Sequence, residues 1–129
     1  MPEIKIKVND LEYHAKLADS PTAQKLWDAL PIEGQANLWG EEIYFEIPIS
    51  AQQEPDAKEK VEVGTIAYWP AGRAFCIFFG PTPVSQGDQP RAYSPVNILG
   101  KIKGDVSGLR KIEQGVLVRL SGGIKQGQI

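Results

Sequence analysis

Six consecutive apolar residues, 74–79 with the sequence AFCIFF, place the strongest constraint on how this chain can fold. Gly80 and Pro81 end the run at once, so it has the length of a strand rather than of a buried helix. A strand that is apolar on both faces must be covered on both, so we predict a central strand here. Because successive side chains point to opposite faces, Phe75 and Phe78 should face different sides.

Strict alternation of apolar and polar residues predicts two further strands at the start of the chain. Residues 3–8 read EIKIKV and residues 11–17 read LEYHAKL, each with one apolar face. Asn9 and Asp10 suit a tight turn, so the two segments should form a hairpin. Extended character returns in residues 42–48 and in VEVGTIAYW, VNILGKI and VLVRLS, which brings the total to about eight strands.

One segment, residues 21–30, has the periodicity of a helix. Ser20 is a favourable N-cap, Pro21 suits the first helical position, and Pro31 ends the segment. One apolar face is formed by Ala23, Leu26, Trp27 and Leu30. A short helical turn is also predicted near residues 106–112.

Two longer stretches lack any periodicity. Residues 51–60, AQQEPDAKEK, are predicted to be an exposed loop, and residues 81–95 a long loop of a kind that is often functional or mobile. The final KQGQI is expected to fray. Without alternating strands and helices, the pattern predicts a mainly β fold, a closed or nearly closed antiparallel barrel, as a single domain over residues 1–129.

The composition limits the classes of partner. Fourteen basic and sixteen acidic residues give a formal net charge of −2 without a basic stripe, which disfavours nucleic acid. No apolar run is long enough for a membrane span or a signal peptide, and Cys76 is the single cysteine, so we predict a cytoplasmic protein without a membrane partner. His14 and Cys76 alone cannot form a zinc site, and no phosphate-binding loop is present, so neither metal nor cofactor is predicted.

Several segments, in this order, resemble the cyclophilin-like barrel. SPTAQKLWDALP resembles the first cyclophilin helix, VGTIAYWPAGRAFCIFFGPTP a pair of strands joined by an Ala-Gly turn, and VNILGKIKGDVSGLRKI the closing strand with the turn after it. LWGEEIYFEIP and YWPAGRAFCIFFGPTP resemble the small prokaryotic cyclophilin-like family, whose members are uncharacterised. The resemblance covers residues 20–112 and implies a closed barrel of about eight antiparallel strands with a groove on its face.

The chain departs from cyclophilins where those enzymes isomerise X-Pro bonds. They use an arginine in a Phe-His-Arg context on the strand after the first helix, whereas EEIYFEIP here contains neither arginine nor histidine. The resemblance therefore implies the barrel without the isomerase residues, and no catalytic residue is assigned. Arg73, which follows YWPAG, could substitute by donating a hydrogen bond to the imide nitrogen; the competing interpretation is a solvated arginine in a turn.

Aromatic residues beside turns are the best candidates for a binding groove, because their rings can be buried while their polar tips stay hydrated. Glu46 joins them, since a carboxylate between Phe45 and Ile47 can be perturbed by an apolar pocket. Glu42 shares the face of Glu46, and we expect that face to be solvated. The predicted ligand-binding residues are Trp39, Tyr44, Glu46, Tyr68, Trp69, Arg73 and Phe78.

Three functions are compatible with these features. The first is binding of a small molecule or an extended peptide in the aromatic-lined groove, without prolyl isomerase activity. The alternative is a weak or rewired peptidyl-prolyl cis-trans isomerase with Arg73 as the donor. The third is a structural subunit, such as a homodimer formed through an apolar groove.

Overall fold

β-Strands are the predominant secondary structure of the computed structural model, which describes residues 2–122. These residues form ten strands, one α-helix and one 3-10 helix. In chain order they are β1 (Glu3–Val8), β2 (Leu11–Leu17), α1 (Pro21–Ala29), β3 (Ile32–Gln35), β4 (Asn37–Leu38), β5 (Glu42–Glu46), β6 (Lys58–Lys60), β7 (Thr65–Trp69), β8 (Ala74–Phe78), β9 (Arg91–Ile102), the 3-10 helix (Ser107–Lys111) and β10 (Leu117–Gly122). The predicted frayed tail lies outside the described residues.

The strands form an antiparallel sheet in the order β3-β10-β1-β2-β9-β7-β8-β5-β4, and β6 pairs with β9 beside this path. The mainly β, antiparallel architecture is thus confirmed, but the ten strands and the open path differ from the predicted closed eight-stranded barrel. The reason is local. β3 and β4, the two ends of the path, are consecutive pieces of one chain separated by Ala36, so they cannot pair side by side.

The central apolar strand is confirmed as β8, which lies between β7 and β5 and is buried along its whole length. Phe75 and Ile77 belong to the main core, whereas Cys76 and Phe78 belong to a second, smaller core on the other side of the sheet. The smaller core consists of Val61, Ala67, Cys76, Phe78, Ala92 and Val96. The alternation expected of this strand therefore separates two apolar clusters.

Two segments predicted as loops contain strands. β6 lies within residues 51–60, and β9 begins at Arg91, inside the predicted loop 81–95. Lys58 pairs with Val96 and Lys60 with Arg91, so these segments form a ribbon held by backbone hydrogen bonds. Because both lysines are exposed, the ribbon carries no apolar alternation that the sequence could reveal.

Gly100 interrupts the regular pairing of β9. Ile66 pairs with Gly100 and Ala67 with Ile98, so the register shifts between β7 and β9. A Cβ atom at Gly100 would lie only 2.1 Å from the carbonyl oxygen of Lys16 on β2. Gly100 thus marks both a bulge and a close backbone approach.

Helix α1 confirms the predicted helix, ending at Ala29, one residue earlier than expected. Ser20 caps it by accepting a hydrogen bond from the backbone N–H of Ala23 at 3.2 Å. The 3-10 helix Ser107–Lys111 confirms the predicted short turn. Both elements bury apolar residues in the main core, which leaves the opposite side of β5, β7 and β8 to the smaller core.

The start of α1 is tied to β9 by a polar network centred on the buried side chains of Thr22 and Asn97. The Glu54 carboxylate accepts hydrogen bonds from the backbone N–H of Thr22 at 3.0 Å and from its hydroxyl at 2.5 Å. The side chain of Asn97 donates to the Thr22 hydroxyl oxygen at 3.1 Å and to the Gln52 carbonyl at 2.9 Å, and it accepts from the Glu54 N–H at 2.8 Å. The segment between β5 and β6 is thereby fixed to helix and sheet.

Candidate functional site

A pocket of about 170 Å³ opens above the smaller core, and we call it the aromatic pocket. Its walls combine four aromatic rings, two small apolar side chains and one carboxyl group. The lining residues are Trp39, Glu42, Tyr44, Trp69, Ala92, Tyr93 and Val96. They come from β5, from the turn that precedes it, from the end of β7 and from the first half of β9.

Strand alternation on β5 directs two of these side chains into the pocket. Glu42 and Tyr44 lie on one face, whereas Ile43 and Phe45 point into the main core. The same alternation on β7 sends Trp69 to the pocket and the neighbouring Tyr68 to the main core. The face of β5 that carries Glu42 and Tyr44 therefore lines a cavity together with residues from the first half of β9.

A tight turn places Trp39 directly beside Glu42. The N–H of Trp39 donates to the carbonyl of Glu42 at 3.0 Å, and the N–H of Glu42 donates back to the carbonyl of Trp39 at 3.2 Å. Gly40 at the tip has φ +59°, a conformation that glycine adopts without strain. This turn joins β4 to β5, so an indole ring and a carboxyl group meet at one end of the pocket.

Tyr93 bridges the two tryptophans across the mouth of the pocket. Its ring centroid lies 6.0 Å from that of Trp39 and 6.1 Å from that of Trp69, with interplanar angles of 73° and 81°. These edge-to-face contacts are a favourable arrangement of aromatic rings. The Trp69 indole N–H also donates to the Ser94 hydroxyl at 2.6 Å, which fixes the ring, while Tyr93 itself remains 70 % exposed.

Glu42 is the one carboxyl group in the lining, and it is only 6 % exposed. Burial raises the pKa of Glu42 from its ordinary value of 4.5 to about 7, and a hydrogen bond with the Cys76 thiol opposes this rise. Burial and then the neighbouring Glu42 raise the pKa of Cys76 as well. No ion pair among residues 2–122 involves Glu42.

Three of the residues predicted to bind a ligand, Trp39, Tyr44 and Trp69, come together in this pocket. Phe78 is fully buried in the smaller core, against which Tyr44 and Trp69 pack, so it supports the pocket from below. Tyr68 is fully buried in the main core, where its hydroxyl donates to the Ile49 carbonyl at 2.8 Å.

The two predicted charged residues lie elsewhere. Glu46 is exposed at the end of β5 and does not line the pocket. Arg73 is an exposed turn residue with φ 52°, and it also lies outside the lining. The strand face that holds Glu42 and Glu46 is thus solvated at Glu46, as expected, but buried at Glu42.

Sequence reasoning missed four members of the lining: Glu42, Ala92, Tyr93 and Val96. The signal for Glu42 was its two-residue spacing from Tyr44, which puts both on one face. Ala92 and Tyr93 were not predicted because their segment, RAYSP, reads as part of a loop. The pairing of this segment with β6 leaves no apolar periodicity in the sequence.

The fold around this pocket matches a known family. The family model described as Cyclophilin-like matches residues 2–121. The chain belongs to the cyclophilin-like family. This cyclophilin-like protein is also similar to a protein of known structure, the hypothetical protein AF2241 from Archaeoglobus fulgidus. The two share 36% sequence identity over 95% of each chain, with a TM-score of 0.80.

These comparisons confirm the resemblance drawn from the sequence segments. No curated protein gives a significant match to this cyclophilin-like chain. Within residues 2–122, no helix has the length and apolar character needed to cross a bilayer. In the same part of the chain, no three potential ligands among histidine, cysteine and acidic side chains are grouped to hold a metal ion.

Proposed function

We propose that this cyclophilin-like protein binds a small organic molecule, or one side chain of an extended peptide, in the aromatic pocket without isomerising X-Pro bonds. The observation that carries the proposal is the convergence of four aromatic rings and one buried carboxyl group on a single cavity. Such a cavity, mostly apolar with a few fixed polar groups, is the usual form of a ligand site.

The pocket is small and largely preformed. A volume of about 170 Å³ lies below the range typical of sites for drug-sized ligands, so a compact group suits it best. Most of the lining residues lie on paired strands, and the hydrogen bond from Trp69 to Ser94 holds one wall in place. A site that needs little ordering loses little binding free energy to conformational entropy.

The alternative function, weak or rewired prolyl isomerase activity, depends on an arginine beside the rings. Arg73 does not line the pocket, which favours binding over catalysis. A protease-coupled assay with X-Pro peptides tests this alternative. We expect the uncatalysed rate in the presence of the protein; acceleration that is lost in the variant Arg73→Ala would support the isomerase instead.

Ligand-observed and protein-observed NMR with a library of small fragments tests the binding proposal. Fragments that bind should shift the indole N–H signals of Trp39 and Trp69 and raise the melting temperature in proportion to occupancy. The variant Trp69→Phe should weaken binding by about tenfold, because it removes part of a wall and the hydrogen bond to Ser94. Trp27→Phe, on helix α1 outside the lining, is the matched control and should bind normally.

The expected location and partners remain predictions. We infer a cytoplasmic protein that binds neither nucleic acid nor membrane, on the basis of the charge balance and the hydropathy pattern of the chain. A homodimer is compatible with the exposed ring of Tyr93, and sedimentation at several concentrations tests it. Single-component sedimentation at the monomer mass would reject the dimer.

A further inference from the structure

The carboxyl group of Glu42 has surroundings that a buried acid rarely has. It is 6 % exposed and lines a cavity, yet it belongs to none of the ion pairs among residues 2–122. A buried carboxylate is strongly disfavoured unless a positive charge or several hydrogen-bond donors compensate it. The position where such a charge could stand is the pocket itself.

The remaining walls favour the same kind of occupant. Aromatic rings attract cations to their electron-rich faces, and Trp39, Trp69, Tyr44 and Tyr93 together surround the cavity. An anion would be repelled by both the carboxylate and the ring faces. When Glu42 is ionised, a neutral ligand would leave its charge uncompensated, so a cation is the ligand class that suits both the carboxylate and the rings.

We propose that the aromatic pocket binds a compact organic ammonium group, held against the Glu42 carboxylate and enclosed by the rings of Trp39, Trp69 and Tyr93. This inference rests on the proposed function, because it names the ligand class of the same pocket. A free quaternary or protonated amine and a methylated lysine side chain of a peptide share this chemistry. The two sources are separated below by using one probe of each kind.

The protonation state of Glu42 predicts the direction in which the affinity for a cation changes with pH. The titratable groups that face Glu42 are Cys76 from β8, Tyr44 from its own strand and Tyr93 from β9. None of them carries a positive charge in any protonation state, so only the ligand can supply one. Because burial raises the pKa of Glu42 to about 7, a permanent cation should bind more tightly as pH rises through this value.

The test compares choline with its uncharged carbon analogue, 3,3-dimethyl-1-butanol, by titration of the tryptophan indole N–H signals. We expect choline to bind at least about tenfold more tightly, and its affinity to increase between about pH 6 and about pH 8. A short peptide with one trimethyllysine is the second probe. Tighter binding of the peptide than of choline indicates a side chain as the source; the reverse indicates a free amine.

Variants then assign the effect to the carboxylate. Glu42→Gln keeps the size of the side chain and should lower choline affinity by about tenfold or more and remove its pH dependence. Glu113→Gln removes one charge from an exposed site outside the pocket and should change neither. Equal affinity of wild type and Glu42→Gln would overturn the inference, as would equal affinity for the two compounds.

Failure of the inference and failure of the proposed function give different results. If neutral fragments shift the signals of Trp39 and Trp69 while the ammonium probes show no preference, the pocket binds ligands but not cations, and the inference alone is rejected. If neither ammonium probes nor neutral fragments shift these signals at millimolar concentrations, both are rejected.

Discussion

The carboxyl group of Glu42 on β5 lies close to the thiol of Cys76 on the adjacent strand β8, and both side chains are almost completely buried. Tyr44 is paired in register with Cys76, and Glu42 with Phe78, so the acid and the thiol are diagonal neighbours on one face of the sheet. The same face forms the floor of the aromatic pocket. Stability, thiol reactivity and binding are therefore linked at this point of the fold.

The stability of the protein should depend on the protonation of Glu42. Its pKa is raised from 4.5 to about 7 on folding, so between these values the folded protein retains a proton that the unfolded chain has released. This contribution to the free energy of unfolding is therefore fully present below 4.5 and is lost as pH rises to about 7. The difference in pKa corresponds to at most about 3 kcal/mol.

Urea denaturation at a series of pH values measures this contribution. The free energy of unfolding of Glu42→Gln, relative to wild type, should increase as pH rises through the interval. Glu113→Gln should run parallel to wild type over the same range, since Glu113 is exposed. Parallel curves for Glu42→Gln and wild type would show that Glu42 has the same pKa in both states.

Cys76 should be inert in the folded protein. Only 1 % of the residue is exposed, and burial raises the pKa of its thiol, so the reactive thiolate is disfavoured and inaccessible. Ellman's reagent at about pH 8 should modify it only as fast as the protein opens, and rapidly in denaturant. Modification of the native protein at the rate of the unfolded chain would contradict the buried position.

Asn97 should be important for stability although it lies outside the pocket. Asn97 is fully buried, and its replacement with alanine removes three hydrogen bonds, with the N–H of Glu54, the carbonyl of Gln52 and the hydroxyl of Thr22, each worth about 0.5–1.5 kcal/mol. We expect Asn97→Ala to lower the free energy of unfolding by about 2 kcal/mol or more. The control Ser107→Ala removes an exposed side-chain bond to Asp105 and should have a much smaller effect. A loss for Asn97→Ala of less than about 0.5 kcal/mol, as small as that expected for the control, would show that the network is not stabilising.

Gly100 should not tolerate a side chain. A methyl group there would lie 2.1 Å from the Lys16 carbonyl oxygen, which belongs to the backbone of β2 and cannot move independently. We expect Gly100→Ala to destabilise the protein by about 1–3 kcal/mol. Gly87→Ala is the control, because nothing lies within 4 Å of its Cβ position and the residue is exposed. Thermal unfolding of the two variants tests this prediction. Equal melting temperatures would contradict the close approach of Gly100 to the backbone of β2.

Periodicity predicted the elements that bury one or both faces. The first hairpin, helix α1 and the central strand β8 each have an apolar pattern that matches their burial in the structure. The β6–β9 ribbon could not be predicted in this way, because Lys58 and Lys60 contribute backbone hydrogen bonds but no apolar face. The predicted closed eight-stranded barrel is not confirmed, since pairing between distant strands leaves no local pattern in the sequence.

The candidate site was predictable only in part for a related reason. Trp39, Tyr44 and Trp69 stand out in the sequence because large rings beside turns are conspicuous. Glu42 and Glu46 look equivalent, since they share a strand face, but Glu42 is buried in the pocket lining whereas Glu46 is exposed at the end of β5. Arg73 was predicted to bind a ligand because it follows YWPAG in the sequence, but it does not line the aromatic pocket.

The single residue between β3 and β4 has a consequence for how this fold can vary. Ala36 is fully buried; its N–H donates to the Val116 carbonyl, and its own carbonyl accepts from the N–H of Gly115. An inserted residue here would displace β3 against β10 and β4 against β5 at the same time, and it would move Trp39 away from its place. Length changes at this junction would therefore alter both the aromatic pocket and the pairing of the edge strands β3 and β4. The exposed turn around Gly87, in contrast, can lengthen without disturbing either.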